Sequence, residues 1–234
     1  VLGTGPIRRL IKALLGRGVF LRPDCRLPKR RFGSAYGGWT VLPERIRPDS
    51  VVYSAGVGDD ISFDIELISN LGVTVQAFDP TPRAMAWVKA RHLPAAFVFH
   101  ALGLSDHDGE SVFFAPIQPH HVSYSATNDA NAGRTGIRLS VRRLSTIMNL
   151  LGHSRVDLLK MDIEGFEYAV IDDIVKTKCY PAQLLVEFHL PNRGQCAQMR
   201  RAVRTLRASG YQLFSVSSSG AELSFVRNEH AWAS

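Results

Sequence analysis

Cysteine is scarce in this chain. Cys25, Cys179 and Cys196 are the three in 234 residues, an odd number with no C-x-x-C pair. That argues against a disulfide framework and against a structural zinc site, and makes a reducing cytoplasm the default compartment. Long apolar runs are missing too; none approaches the roughly 18 residues that span a bilayer. A signal peptide is not expected, because Lys12 and Arg17 interrupt what would be its apolar region. There is no Walker lysine loop, no G-x-S-x-G elbow and no H-E-x-x-H helix, which sets aside three large enzyme classes. Acidic excess is absent as well: 28 Lys and Arg against 21 Asp and Glu give a net charge of +7. The basic residues gather in the first 31 positions and again between Arg193 and Arg207. An anionic partner such as nucleic acid is one reading of that charge, but no aromatic ladder interleaves with it. In the later segment Met199, Val203 and Leu206 lie at i, i+4, i+7, with Arg200, Arg204 and Arg207 on the next face. That is ordinary patterning for a helix on a protein surface, so solvated faces are the simpler explanation.

What is present is alternation. A hydrophobic content of 45% is enough for one substantial core with a small appendage. Residues 5–17 read as an amphipathic helix, and 25–48 as an irregular stretch containing Tyr36-Gly37-Gly38-Trp39. From residue 51 strand and helix patterns alternate. Strands are expected at 51–54, 73–78, 95–100, 156–161 and 183–188, and helices at 61–71, 81–91, 142–151, 166–176 and 193–209. Such alternation predicts an α/β fold with a parallel sheet covered by helices on both faces. Tyr211 to Val216 and Glu222 to Val226 are joined too closely for a crossover helix, so they should form a C-terminal antiparallel pair. The sheet then has about seven strands. Residues 103–115 read as a hairpin inserted after the third strand, and 116–136 as a long polar loop. The expected organisation is a helix and substrate-lid segment at 1–48, followed by a main domain at 49–234 that carries the 103–136 insertion.

The first strand runs into Ala55-Gly56-Val57-Gly58-Asp59-Asp60, and the second ends at Asp79-Pro80-Thr81. Glycines allow a ligand close to the backbone, and the helix that follows offers free N–H groups. Asp79 lies 21 positions after Gly58, where a carboxylate accepts hydrogen bonds from a ribose diol. The third glycine of a dinucleotide fingerprint is replaced by Ile61, so a pyrophosphate is not provided for. A ribose without a pyrophosphate points to S-adenosylmethionine rather than NAD. After the third strand, Ala101 and Leu102 are placed to pack against an adenine ring.

The fourth strand ends in Lys160-Met161-Asp162-Ile163-Glu164-Gly165 and the fifth in Glu187-Phe188-His189. Side chains alternate along a strand, so Asp162 and Glu164 should share a side, as should Glu187 and His189. Neighbouring fourth and fifth strands would unite three carboxylates and an imidazole. Ionisable groups at the ends of buried strands are costly unless paired or used. The spacing fits no standard metal motif, so no metal site is assigned; His120 and His121 read as solvated loop residues.

Together VVYSAGVGDDISFD (51–64), AFDPTP (77–82), ALGLSDHDG (101–109), LLKMDIEGFE (158–167) and LVEFH (185–189) resemble the FkbM-type S-adenosylmethionine-dependent methyltransferases. The resemblance extends over about residues 30–230. It implies a class I methyltransferase fold and methylation of an oxygen, often a hydroxyl of a sugar, lipid or natural product. It also implies that Gly56, Gly58 and Asp79 hold the cofactor and that Asp162 and Glu164 line the active site. Many members carry an Asp near the end of the first strand and Ala-Asn after the glycine; here Tyr53-Ser54-Ala55 and Val57 stand there. A hydroxyl needs a base, and the expected choices are His189 or Asp162, with Glu187 and Glu164 orienting. Two rivals share parts of this pattern: an NAD-dependent oxidoreductase, and a non-catalytic module that binds an anionic partner through its basic surface. The acceptor's identity and the oligomeric state are not encoded in any motif here.

Overall fold

The computed structural model describes residues 18–114, 136–189 and 193–228. The expected helix at 5–17 and most of the polar loop, His120 and His121 included, lie outside these residues. The elements in chain order are β1 (Arg30–Phe32), β2 (Trp39–Val41), a 3-10 turn (Pro43–Arg45), β3 (Val52–Ala55), α1 (Ser62–Leu71), β4 (Val75–Phe78) and α2 (Pro82–Lys89). There follow β5 (Phe97–His100), β6 (Gly103–Leu104), β7 (Gly109–Phe114), β8 (Gly136–Arg142), α3 (Leu144–Leu151), β9 (Leu158–Met161) and α4 (Glu167–Thr177). The chain closes with β10 (Gln183–Glu187), α5 (Arg193–Ala208), β11 (Tyr211–Val216) and β12 (Glu222–Arg227).

Seven strands form the main sheet in the order β11-β12-β10-β9-β3-β4-β5. β3, β4, β5, β9 and β10 run parallel, while β12 is antiparallel to both β10 and β11. This is the Rossmann-like sheet of methyltransferases. The order reverses at β3: the chain first steps outward through β4 and β5, then returns to place β9 and β10 on the other side. Ligands of open α/β sheets bind at such a switch, above the strand C-termini.

The sequence produces this sheet through strands that are buried on both faces. Val52, Leu158 and Leu185 pack on one side with Phe63 and Leu67 of α1. Tyr53, Leu159, Leu184 and Val186 pack on the other with Ile171 of α4 and Met199 of α5. The two-residue period of a strand sorts adjacent leucines to opposite cores. Helix ends are signalled locally. Asp60 Oδ1 accepts from the N–H of Ser62 at 2.8 Å at the start of α1. Thr81 caps α2 through Ala84, with Pro82 in the first turn.

Two segments differ from expectation. Within 25–48 there is a short hairpin, with Phe32 pairing Trp39, and its Phe32, Trp39 and Val41 are buried against the Val52 and Leu158 face of the sheet. Strands of three residues are too short to show a period. The expected hairpin over 103–115 is instead part of a three-stranded sheet, β6-β8-β7. β7 pairs antiparallel with β8, and β6 pairs parallel with β8 rather than with β7. The Ser105–Asp108 turn is followed by Gly109, at φ 134, and β7 takes its partner from beyond residue 135.

Candidate active site

The glycine turn, the ends of β4 and β9, and the turn of the N-terminal hairpin enclose a cavity of about 940 Å³, open solvent at its mouth included. Gly56 has φ 84, and a Cβ built on it would lie 1.8 Å from the carbonyl oxygen of Asp162. The turn after β3 and the loop after β9 therefore touch backbone to backbone, which only glycine permits. Gly58, at φ 57, has nothing within 4 Å of a built Cβ and lines the cavity.

Asp79 organises this turn. Its Oδ2 accepts from the N–H groups of Val57 and Gly58, both at 3.1 Å. Its Oδ1 accepts from the N–H of Thr81 at 2.9 Å and from the Thr81 hydroxyl at 2.6 Å. A carboxylate offers about four acceptor sites, and all four are taken by the chain. The loop N–H groups that a pyrophosphate would need are thus already bonded. Asp79, Pro80, Thr81, Val57 and Asp60 all line the cavity. Ala55 is buried beneath it, its carbonyl accepting from the N–H of Asp162 at 3.0 Å. Ala101 and Leu102 do not line it. The chain turns tightly after β5, with the Leu102 N–H on the His100 carbonyl at 2.8 Å, and Gly103 and Leu104 form that wall instead.

Asp60 is shared between the turn and the hairpin. Its Oδ2 accepts from the Ser34 hydroxyl at 2.6 Å, and the Ser34 N–H donates to Ser62 at 2.7 Å. Burial works against its charge, but the hydrogen bonds from Ser34, Ser62 and Gly37 outweigh that and hold its pKa below the usual value. These bonds dock the hairpin turn on α1 and leave Tyr36, 85% exposed, at the cavity rim.

On the far side stand the acids. β9 and β10 are parallel neighbours, as expected. The extended conformation does not continue through Glu164, which has φ 52, yet this turn still brings its carboxylate to His189. His189 Nε2 lies 3.2 Å from Glu164 Oε2 and 3.7 Å from Asp162 Oδ1, while Nδ1 lies 2.9 Å from Glu167 Oε1. Glu167 is fully buried, and its two oxygens also accept from the N–H groups of Ile163 and Gly165. Burial opposes charge on His189, but the bonds to Glu164 and Glu167 dominate and push its pKa up to about 12. Carboxylates facing both ring nitrogens favour the protonated imidazole. Burial raises Asp162 above the ordinary carboxylate range, against Lys160 and His189, which lower it. Burial, followed by the charge of Asp162, pushes Glu187 up to about 7. Asp162 and Glu164 line the cavity, and Asp162, Glu164 and His189 each offer a donor atom within 4.8 Å of the others.

Lys160, Glu167 and Asp64 were not singled out from sequence. Lys160 sits in β9, 7% exposed, with its ammonium donating to the Gly56 carbonyl, 3.9 Å from Asp162 Oδ2 and 5.8 Å from the centre of the Trp39 ring. Asp64 of α1 lies buried below the turn, where burial pushes its pKa up to about 6 despite the pull of Lys160. Among the described residues, neither Asp64 Oδ1 nor the nearby Ser54 hydroxyl has a hydrogen-bond partner. The sequence signal was the KMDIEGFE string, which carried Lys160 and Glu167 without revealing what they touch.

The Methyltransferase FkbM domain matches residues 28–213. The chain belongs to that family. Two curated relatives, each called "Probable methyltransferase-like protein 24", come from Homo sapiens and Rattus norvegicus. Each is 28% identical over 142 residues, which is 59% of this chain and 32% of the relative. The chain thus matches about a third of the length of these relatives. No solved structure matches it. Membership in a methyltransferase family displaces the oxidoreductase reading. The basic α5 fits the simpler account of the charge: Arg201 pairs with Asp172 at 2.9 Å and Arg207 with Asp24 at 2.7 Å. Among the described residues no helix is long and apolar enough to cross a membrane.

Proposed function

We propose that this FkbM-family domain transfers a methyl group from S-adenosylmethionine to a hydroxyl of a small molecule or glycan. One observation carries the reading: a single cavity joins the glycine turn and Asp79 to the carboxylates of Asp162 and Glu164. S-adenosylmethionine, when bound, supplies a methyl group on a sulfonium, already activated for displacement. The chain's own task is then placement. Gly58 leaves room at the turn for a ribose, and Asp79 holds the turn in shape through its four bonds. Pro80, Gly103 and Leu104 offer a largely apolar wall that suits an adenine. The acceptor oxygen is held on the axis of transfer near Asp162, and such placement supplies much of the rate of an in-line displacement. Its proton passes to a carboxylate of the cluster, because both nitrogens of His189 are already engaged; His189 positions the acids instead.

The test has two parts. S-adenosylhomocysteine at saturation should raise the melting temperature, since affinity for the native state adds to stability. Labelled S-adenosylmethionine offered with a panel of hydroxyl and amine acceptors should then transfer label to oxygen. No thermal shift would remove the cofactor from the reading, and label on amines alone would move the chemistry to nitrogen.

A further inference from the structure

Asp162, Glu164 and His189 form an arrangement that the transfer of a methyl group does not by itself require. The His189 ring is aimed rather than merely paired. Buried Glu167 accepts from Nδ1 at 2.9 Å and is itself fixed by two backbone N–H groups, so the direction of Nε2 is set. A carboxylate on the outer nitrogen of a histidine is the usual way a metal-binding imidazole is oriented. Nε2 faces Glu164 Oε2 at 3.2 Å and Asp162 Oδ1 at 3.7 Å. Donors bound at about 2.0–2.2 Å to one tetrahedral ion lie about 3.3 Å apart, so these spacings need only small adjustments. Asp162 turns its other oxygen toward Lys160, leaving Oδ1 for the cluster. Charge points the same way. Among the described residues Asp162, Glu164, Glu167 and Glu187 gather here around the imidazole and Lys160, and a cluster of carboxylates in a half-buried site favours a cation.

We propose that Asp162, Glu164 and His189 bind one divalent first-row transition ion, which holds the acceptor's oxygens beside the cofactor cavity. The ion takes the place of the proton between Nε2 and Glu164. One imidazole with two carboxylates suits Mn²⁺, Fe²⁺ or Zn²⁺ better than an all-oxygen preference such as that of Ca²⁺. Three protein donors leave positions open toward the cavity that Asp162 and Glu164 line, where two neighbouring oxygens of an acceptor, as in a vicinal diol, would chelate. The inference rests on the methyltransferase reading for its purpose but not for its detection.

The probe is Mn²⁺ titrated into the whole chain and followed by electron paramagnetic resonance. The expected result is loss of the free-ion signal at one equivalent, with ¹⁴N modulation from a directly bound imidazole in the spin-echo spectrum. Glu164→Gln and His189→Ala should each abolish binding, while S-adenosylhomocysteine still shifts their melting temperatures. Glu167→Gln should weaken binding about 10–100-fold, the range for loss of an outer-shell partner. A wild-type chain that binds no Mn²⁺ at millimolar concentration, or one that binds it without nitrogen modulation, overturns the inference. So does binding that survives both triad variants. Mn²⁺ binding with these signatures in a chain that ignores S-adenosylhomocysteine would uphold the metal site and sink the methyltransferase reading instead.

Discussion

The two halves of the cavity handle polar groups in opposite ways. On the β3–β4 side, Asp79 spends all four acceptor sites on backbone and Thr81, and Asp60 is bonded to Ser34 and Ser62. The hydrogen-bonding capacity of that side is met from within the chain. On the β9–β10 side, burial displaces the proton affinities of Asp162 and Glu187 upward, against the pull of His189 and Lys160. Titratable groups with displaced proton affinities in a cleft are the candidates to meet substrate, proton or ion. Gly56 against Asp162 is where the two sides touch.

Asp162→Asn should give the largest effect if the comparison holds. Turnover is expected to fall about 10²–10⁴-fold, the range for loss of a group acting on a proton in the transition state, with S-adenosylhomocysteine affinity near wild type. Steady-state rates and calorimetry on the same preparation check this; a matching loss of cofactor affinity would erase the division between halves. Gly56→Ala attacks the seam. Its Cβ meets a carbonyl oxygen at a positive φ, so the domain should lose about 3 kcal/mol and the thermal response to S-adenosylhomocysteine should vanish. Denaturant unfolding measures the first and differential scanning the second.

Asp64 sharpens the comparison from beneath the turn. Its pKa rises from 3.8 to about 6 on folding, so the folded state favours the protonated form. The sign follows: stability linked to this group is complete below about pH 4 and is lost as pH rises through 6. The loss approaches about 3 kcal/mol at the plateau, an order-of-magnitude figure from roughly 1.4 kcal/mol per unit. Stability curves for wild type and Asp64→Asn should diverge across that window and run parallel above it. Parallel curves throughout would show that Asp64 is ordinary. The smallest effect belongs to the surface. Arg201→Ala removes an exposed pair with Asp172 and should change stability by no more than about 0.5 kcal/mol.

Much of the fold was legible because strands buried on both faces must be mainly apolar, and β3, β9 and β10 are, with Ser54, Lys160 and Gln183 as buried exceptions. The order of chemistry along the sheet followed from the strand ends, which brought Asp162, Glu164, Glu187 and His189 into view together. Other features were hidden for physical reasons. Lys160 reads as a charge interrupting a strand until its partner, Gly56, 104 residues earlier in the chain, is brought beside it. Glu167 stands in the first turn of α4, where an acid is normally explained by the helix dipole alone. Asp64 opens α1 for the same apparent reason, and its burial depends on packing that no local pattern announces. Ala101 and Leu102 fall outside the cavity lining because the chain turns tightly after β5, which puts Gly103 and Leu104 there instead.

Glu167 has a consequence for how this family can vary. One side chain fixes the Ile163–Gly165 loop and the His189 ring at once, so neither can drift alone. Substitution at 167 without a compensating change at 189 leaves a half-buried imidazole or a pair of backbone N–H groups stranded. Across diverging members, positions 164, 167 and 189 should therefore be exchanged as a set or kept as a set, whereas exposed Tyr36 at the rim carries no such constraint.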